Sequence, residues 1–346
     1  MVRRLAKVFF GTSAILCSVA CHTRNDGNTT VAYVTNEDGR SVTVIATKTN
    51  QVIATIPVGM RPRGIHAGPG GRHIYVAISG SPRCPPTMPD SVCDRLAVDK
   101  TQDGIAEIDA ATRRVVRVLP GGSDPEQFDI NQDGTRLYVA NEDSATLSVV
   151  DVQRGVVIAK IPVGGEPEGV RVAPDGQTVY VTSEAQSSVT AIDTKSYQVR
   201  KVVPVERRPR NVLFLPDQRH YVVSAEVGGT VQIVDRQCEC VTAQIALPAG
   251  AKPMGLAVAP DGSRLYVSTG RFGQIAAIDL ATQRLVGSVA VGKRPWGIAL
   301  ADQGATLYVA NGPSNSVSVV DTKTLTVRAT VPVGALPWGV TITSLP

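Results

Sequence analysis

One short strand recurs seven times along this chain, and that recurrence constrains the fold more than any other feature. The dipeptide Tyr-Val begins at Tyr33, Tyr75, Tyr138, Tyr180, Tyr221, Tyr266 and Tyr308. The intervals are 42, 63, 42, 41, 45 and 42 residues, so the long one is a single period carrying a 21-residue insertion. A period near 40 with several short apolar strands per unit is the signature of propeller blades.

The punctuation between these strands repeats as well. A Pro/Asp/Gly turn such as Pro174-Asp175-Gly176 or Pro260-Asp261-Gly262 precedes the Tyr strand. The next strand ends in Asp109, Asp151, Asp193, Asp235, Asp279 or Asp321, and a third closes on a segment like Ile161-Pro162-Val163-Gly164. A proline then follows at Pro62, Pro125, Pro167, Pro209, Pro253, Pro295 and Pro337, leading into a short apolar strand such as 169–172. Alternating β-branched residues between turns read as strands, and nothing of helical period interrupts them. The sequence therefore predicts an all-β fold, a seven-bladed β-propeller with four-stranded blades. It opens on a second strand at 31–36 and ends on a lone first strand at 339–344, so the two are expected to pair in one blade and seal the ring.

At this level the chain resembles the YVTN-repeat β-propellers. Tyr33-Val34-Thr35-Asn36 matches their name motif, and Tyr138-Val139-Ala140-Asn141 and Tyr308-Val309-Ala310-Asn311 are near copies. The resemblance runs from about residue 31 to the end. It departs at Ala46, where other units place Asp, at Glu206, where they place Gly, and at the insertion. It implies a YncE-like exported bacterial propeller, distantly similar to propellers of lactonases, antibiotic lyases and redox enzymes; it implies architecture and compartment and leaves the chemistry open.

Residues 1–20 read as a signal peptide, with Arg3, Arg4 and Lys7 ahead of a 13-residue apolar run from Val8 to Ala20. That run is short of the about 20 residues that span a bilayer. Cleavage after Ala20 would leave Cys21 first, as in a lipobox, although Ser18 stands where Leu is usual; lipid attachment at Cys21 and export as a soluble protein both remain open. Residues 21–30 form a polar linker, and 31–346 the propeller. Without Arg3, Arg4 and Lys7, 35 basic residues fall to 32 against 30 acidic ones, a balance of +2 with no global charge to hold a phosphate backbone.

Candidate functional residues follow from the blade geometry. Loops entering the first strands and loops joining second to third strands share one face, around the channel mouth. The position after each proline then makes a ring: Arg63, Glu126, Glu168, Arg210, Met254, Trp296 and Trp338. One arc is charged and the other apolar. Tryptophans at a concave mouth suit the flat or apolar part of a ligand, and paired arginines suit a carboxylate or phosphate. Equally, Arg63 with Glu126 and Glu168 with Arg210 read as salt bridges between blades, and the tryptophans as plugs of the channel.

The insertion, residues 79–103, falls on the same face. Cys84 and Cys93 within it are expected to form a disulfide closing a Pro-rich loop, either a partial lid over the mouth or a tolerated surface insertion. Cys238 and Cys240 lie in an outer turn on the opposite face; a C-x-C bridge is strained, which suits either a redox-active pair or thiols that bind metal, and an edge disulfide is the preferred reading over a metal site. Cys17, Cys21 and His22 form C-x-x-x-C-H, one residue too long for haem attachment. The other histidines are His66, expected between blades, and His73 and His220 before Tyr strands; no spacing gives a metal triad and no G-x-S-x-G elbow occurs. No cofactor is expected.

Three functions compete. The first is a non-catalytic exported propeller binding a small molecule or protein at the channel mouth. The second is a lactonase-like hydrolase or lyase, with Glu126 or Glu168 as acid/base and Arg63 or Arg210 holding an anion. The third is single-stranded nucleic acid binding through Trp296 and Trp338 with Lys252, Lys293 and Arg294, which the weak net charge disfavours. Membrane contact is expected only through a lipid on Cys21.

Overall fold

The structure, a computed structural model, describes residues 30–84, 88–93 and 95–345. The signal peptide expected over residues 1–20, Cys21 and most of the expected linker lie outside the described residues. The described chain forms seven four-stranded antiparallel sheets, the blades of a propeller. Blade 1 holds strands Pro337–Ser344, Thr30–Asn36, Ser41–Ala46 and Gln51–Pro57, from the channel outward. Blades 2 to 7 follow in chain order, with inner strands Ile65–Ala67, Pro125–Ile130, Pro167–Val172, Pro209–Phe214, Leu256–Val258 and Pro295–Ala301. Blade 1 thus joins the two ends of the chain, Thr30 standing opposite Ser344 and Val34 opposite Val340, as the sequence predicts.

The pattern of burial explains why these residues make strands. Tyr strands such as Thr178–Ser183 and Thr306–Asn311 are buried along their whole length because blades cover both of their faces. Outermost strands such as Thr326–Pro332 are exposed over most of theirs. The core is divided into seven apolar clusters, one between each pair of neighbouring blades. Between blades 2 and 3, for instance, Tyr75, Ile105 and Leu119 pack against Phe128, Leu137 and Val150. Each large aliphatic side chain so buried is worth about 1.5–3 kcal/mol.

Polar residues at the strand ends fix the register. Asn36 donates from Nδ2 to Thr43 Oγ1 at 2.9 Å, Asn141 to Ser148 Oγ at 2.8 Å and Asn311 to Ser318 Oγ at 2.9 Å, which pins the following strand. The aspartate ending the third strand caps the outer turn: Asp109 Oδ1 accepts from the Thr112 amide and hydroxyl, both at 2.7 Å. Each outer turn then passes through one left-handed residue, Asn50, Arg113, Gly155, Tyr197, Glu239, Gln283 or Leu325, at φ between 49° and 64°. Disulfides join Cys84 to Cys93 and Cys238 to Cys240. No helix among the described residues is long and apolar enough to cross a membrane.

Candidate functional site

The chain enters each inner strand through an X-Pro-X segment, and both X positions shape the mouth. At the first X, six residues are left-handed: Arg61, Asp124, Glu166, Arg208, Arg294 and Leu336. At the second X stand the seven residues singled out from the sequence. They do not all belong to loops: Glu126, Glu168, Arg210, Trp296 and Trp338 lie on the inner strands themselves, because pairing with the Tyr strand begins at the proline. The next residue is often glycine for a steric reason. A Cβ on Gly169 would stand 2.7 Å from the carbonyl oxygen of Arg210, and one on Gly297 2.6 Å from that of Trp338, so neighbouring inner strands could not approach this closely.

Two ion networks occupy the charged arc, each gathered around one buried arginine. Arg63, 2% exposed, reaches Asp124 at 2.5 Å, Glu142 at 3.4 Å and Glu126 directly, while Arg61 holds Glu37 at 3.1 Å and Asp124 at 3.8 Å. Arg210 contacts Glu168, Glu184 and, at 2.8 Å, Glu226; Arg208 contacts Glu184 and, at 3.4 Å, Glu226. The pairs Arg63–Glu126 and Arg210–Glu168 therefore do bridge adjacent blades. In each network carboxylates outnumber arginines, four to two and three to two.

Burial and the balance of charges set the acidities of these groups. Burial raises Glu126 well above the usual carboxylate range; Arg63 opposes this, and the neighbouring Glu168, Glu142 and Asp124 add to it. Burial likewise raises Glu168, against Arg210 and with the help of Glu184. Asp124 and Glu226 end below their ordinary values because Arg63 with Arg61, and Arg210 with Arg208, outweigh their burial.

The opposite arc is built differently. Trp296 is half-buried and Trp338 is 3% exposed, with ring centroids 5.3 Å apart. Arg294 lies 4.4 Å over the Trp296 ring, and Arg210 approaches the same ring at 5.9 Å. Neither Arg294 nor Arg271 beside it makes an ion pair with a described residue, yet both line the mouth. Lys293, on the same arc, is exposed, and Met254 is buried.

The mouth holds a cavity of about 190 Å³ that meets a deeper channel cavity of about 80 Å³, and Glu168, Arg210, Trp296 and Trp338 line both. His66 lines the deeper one while packing edge-on to Phe128 of the next blade at 5.2 Å. Burial lowers its pKa to about 4, so it is neutral at neutral pH. The insertion does lie on the mouth face: Arg83 and Cys84 line the mouth, Gly80 N donates to Asp103 Oδ1 at 2.8 Å, and Lys100 pairs with Asp143. Among the described residues no three His, Cys, Asp or Glu are grouped to hold a metal ion.

Position after proline was too narrow a guide to this site. It missed Arg61, Asp124 and Arg208 just before the prolines, and Glu37, Glu142, Glu184 and Glu226 just after the Tyr strands. The signal was present in Asn36-Glu37, Asn141-Glu142, Ser183-Glu184 and Ala225-Glu226, an acid in register in four blades.

This is a seven-bladed β-propeller with a charged and aromatic channel mouth, and comparison with known proteins bears on its fold. A model of the lactonase family, described as a seven-bladed β-propeller, matches residues 20–157. A model of the YNCE-like β-propeller matches residues 211–306. No curated protein matches the chain in sequence. Among solved structures, a putative 6-phosphogluconolactonase from Bacteroides fragilis is 16% identical with a TM-score of 0.75, over 93% of this chain and 99% of that one. A functionally unknown protein from Desulfotomaculum acetoxidans is 16% identical, TM-score 0.74, over 91% and 99%. Hydrazine synthase from Kuenenia stuttgartiensis is 20% identical, TM-score 0.68, over 82% and 96%. At these identities the likeness is one of fold.

Proposed function

We propose that this protein is an exported, non-catalytic propeller that binds a small organic anion with a flat apolar part at its channel mouth. The observation that carries the reading is the division of the mouth. On one arc every buried arginine is already held by carboxylates. On the other, Arg271 and Arg294 have no acidic partner among the described residues and stand beside Trp296 at a cavity of about 190 Å³. An anionic group would complete those two arginines through charge-assisted hydrogen bonds while its apolar part covers the indole. The insertion carrying Cys84–Cys93 would overhang the bound molecule. Removal of residues 1–20, with or without a lipid on Cys21, fits this role, and intact mass of extracytoplasmic protein tests it: retained Met1 refutes export, and a diacylglycerol adduct decides for the anchored form.

A lactonase-like activity is the second reading, favoured by the family match over residues 20–157 and by Glu126 and Glu168, buried and held above the usual carboxylate range. Against it, both glutamates are locked to Arg63 and Arg210 and have little freedom to transfer a proton to a substrate. A panel of five- and six-membered lactones, with and without a phosphate, separates the two. The binding reading expects no turnover above that of Glu126→Gln and Glu168→Gln variants, and turnover abolished by either substitution would replace it with the enzyme.

A further inference from the structure

The outer turn of blade 5 carries a second chemistry, far from the mouth. We propose that Cys238 and Cys240 form a thiol–disulfide exchange site, whose disulfide accepts two electrons from the paired thiols of a cysteine-containing peptide or protein. The other six blades build the same turn without sulfur. Each has a capping residue, then a left-handed residue, then the residue that starts or immediately precedes the outer strand: Thr112-Arg113-Arg114, Ser196-Tyr197-Gln198 and Thr282-Gln283-Arg284 are three of them. Thr112, Ser196 and Thr282 each bond Asp Oδ1 through amide and hydroxyl, at 2.7 to 2.9 Å. In blade 5 the capping position is Cys238, the left-handed residue is Glu239 and the strand begins at Cys240. The turn and its strand pairing need no covalent link, since six blades form them without one.

A structural role has a second argument against it. Loop-closure entropy grows with the length of chain enclosed, and a bridge between residues two apart encloses almost none. The Cys84–Cys93 bridge differs, spanning nine positions in an insertion that no blade pairing holds. Both Cys238 and Cys240 are exposed residues at the surface of the outer turn. Glu239 between them is fixed by the Tyr180 hydroxyl, which donates to Glu239 Oε1 at 2.9 Å from the neighbouring blade. Burial holds Glu239 above the usual carboxylate range, against the Tyr180 hydrogen bond and the attraction of Arg200, Arg236 and Lys201. Exposed bridges are the more easily reduced ones.

The exchange balances as follows. A substrate thiolate attacks one sulfur of the pair; the S–S bond breaks, its electrons go to the other sulfur as thiolate, and a mixed disulfide forms. The second substrate thiolate attacks that bond, leaving with the first as a substrate disulfide. Two electrons have passed to the chain, and with two protons Cys238 and Cys240 become thiols.

The test uses the whole protein in graded mixtures of reduced and oxidised glutathione, with alkylation and peptide mass analysis. The Cys238–Cys240 bridge should open at a thiol concentration at least about tenfold below that needed for Cys84–Cys93. Cys240→Ser should trap one glutathione on Cys238. A synthetic peptide with two cysteines should be oxidised by the wild type, one peptide per chain, and not by the Cys238→Ser/Cys240→Ser double variant, whose melting temperature should match that of the wild type. A bridge as resistant as Cys84–Cys93, peptide oxidation equal in the double variant, or a lowered melting temperature in that variant would each overturn the proposal.

Discussion

Arg210 shows how a single buried charge is made tolerable. It stands among Glu168, Glu184 and Glu226, so replacing it by Met would leave three acids facing one another with only Arg208 to offset them. Loss of one partner from such a network costs about 3–5 kcal/mol, and denaturant unfolding of Arg210→Met at neutral pH should show a loss of that size. Glu168 predicts a pH effect of definite sign. Its folded pKa is raised, so its contribution to stability is full below the ordinary glutamate range and is lost as pH rises through the folded value. Gln at this position keeps hydrogen-bonding groups toward Arg210 without the charge. Melting curves of wild type and Glu168→Gln should run together in acid and separate as pH rises, with the variant gaining. A variant less stable than wild type by the same amount at every pH would mean that Glu168 is an ionised anchor.

At the scale of the strand, closure rests on Pro337–Ser344, which pairs with Thr30–Asn36 and packs on the inner strand of blade 7. Deleting residues 337–346 removes Trp338 with it and exposes an edge of blade 1; the product should elute as aggregate or melt without a cooperative transition. A monomer melting like the full chain would show that six complete blades and one partial blade suffice. Inner strands are equally intolerant of bulk. Gly297→Ala would drive a Cβ to 2.6 Å from the Trp338 carbonyl oxygen and should destabilise by about 1–3 kcal/mol, an overpacking cost read from chemical unfolding. Tyr308→Phe should lose only about 1 kcal/mol, the hydrogen bond its hydroxyl donates to Asn50 Oδ1 of blade 1 at 2.7 Å.

Over the whole molecule, the architecture was legible because it is repeated. Tyr-Val strands, Asp-ended strands and prolines each recur in register, so a misread boundary in one unit is corrected by the others. Even ring closure could be read, from repeats that open on a second strand and end on a lone first strand. The site was legible only in part, since each mouth residue comes from a different blade and its partners lie tens of residues away. Arg63 and its pairing with Glu126 were visible in the sequence; its bonds to Asp124 and Glu142 depend on how two blades are rotated against each other, which no local pattern encodes. The unequal fates of the two tryptophans were hidden for the same reason, because Trp338 is covered by neighbours that its own segment does not name.

Those two tryptophans also give the mouth a reporter of its own, as the protein has no others. The central claim is that an anion binds between Arg271, Arg294 and the Trp296 face, and intrinsic fluorescence titration tests it directly. The titrants are a panel of aromatic carboxylates and phosphate esters, each paired with its neutral methyl ester. The account predicts that at least one anion changes the emission saturably, that its neutral ester binds about tenfold more weakly or less, and that added salt and Arg294→Gln both weaken the anion. If no anion saturates, or if the neutral esters bind as well and Arg294→Gln changes nothing, the mouth is a packed plug of indoles and salt bridges and the binding account is wrong.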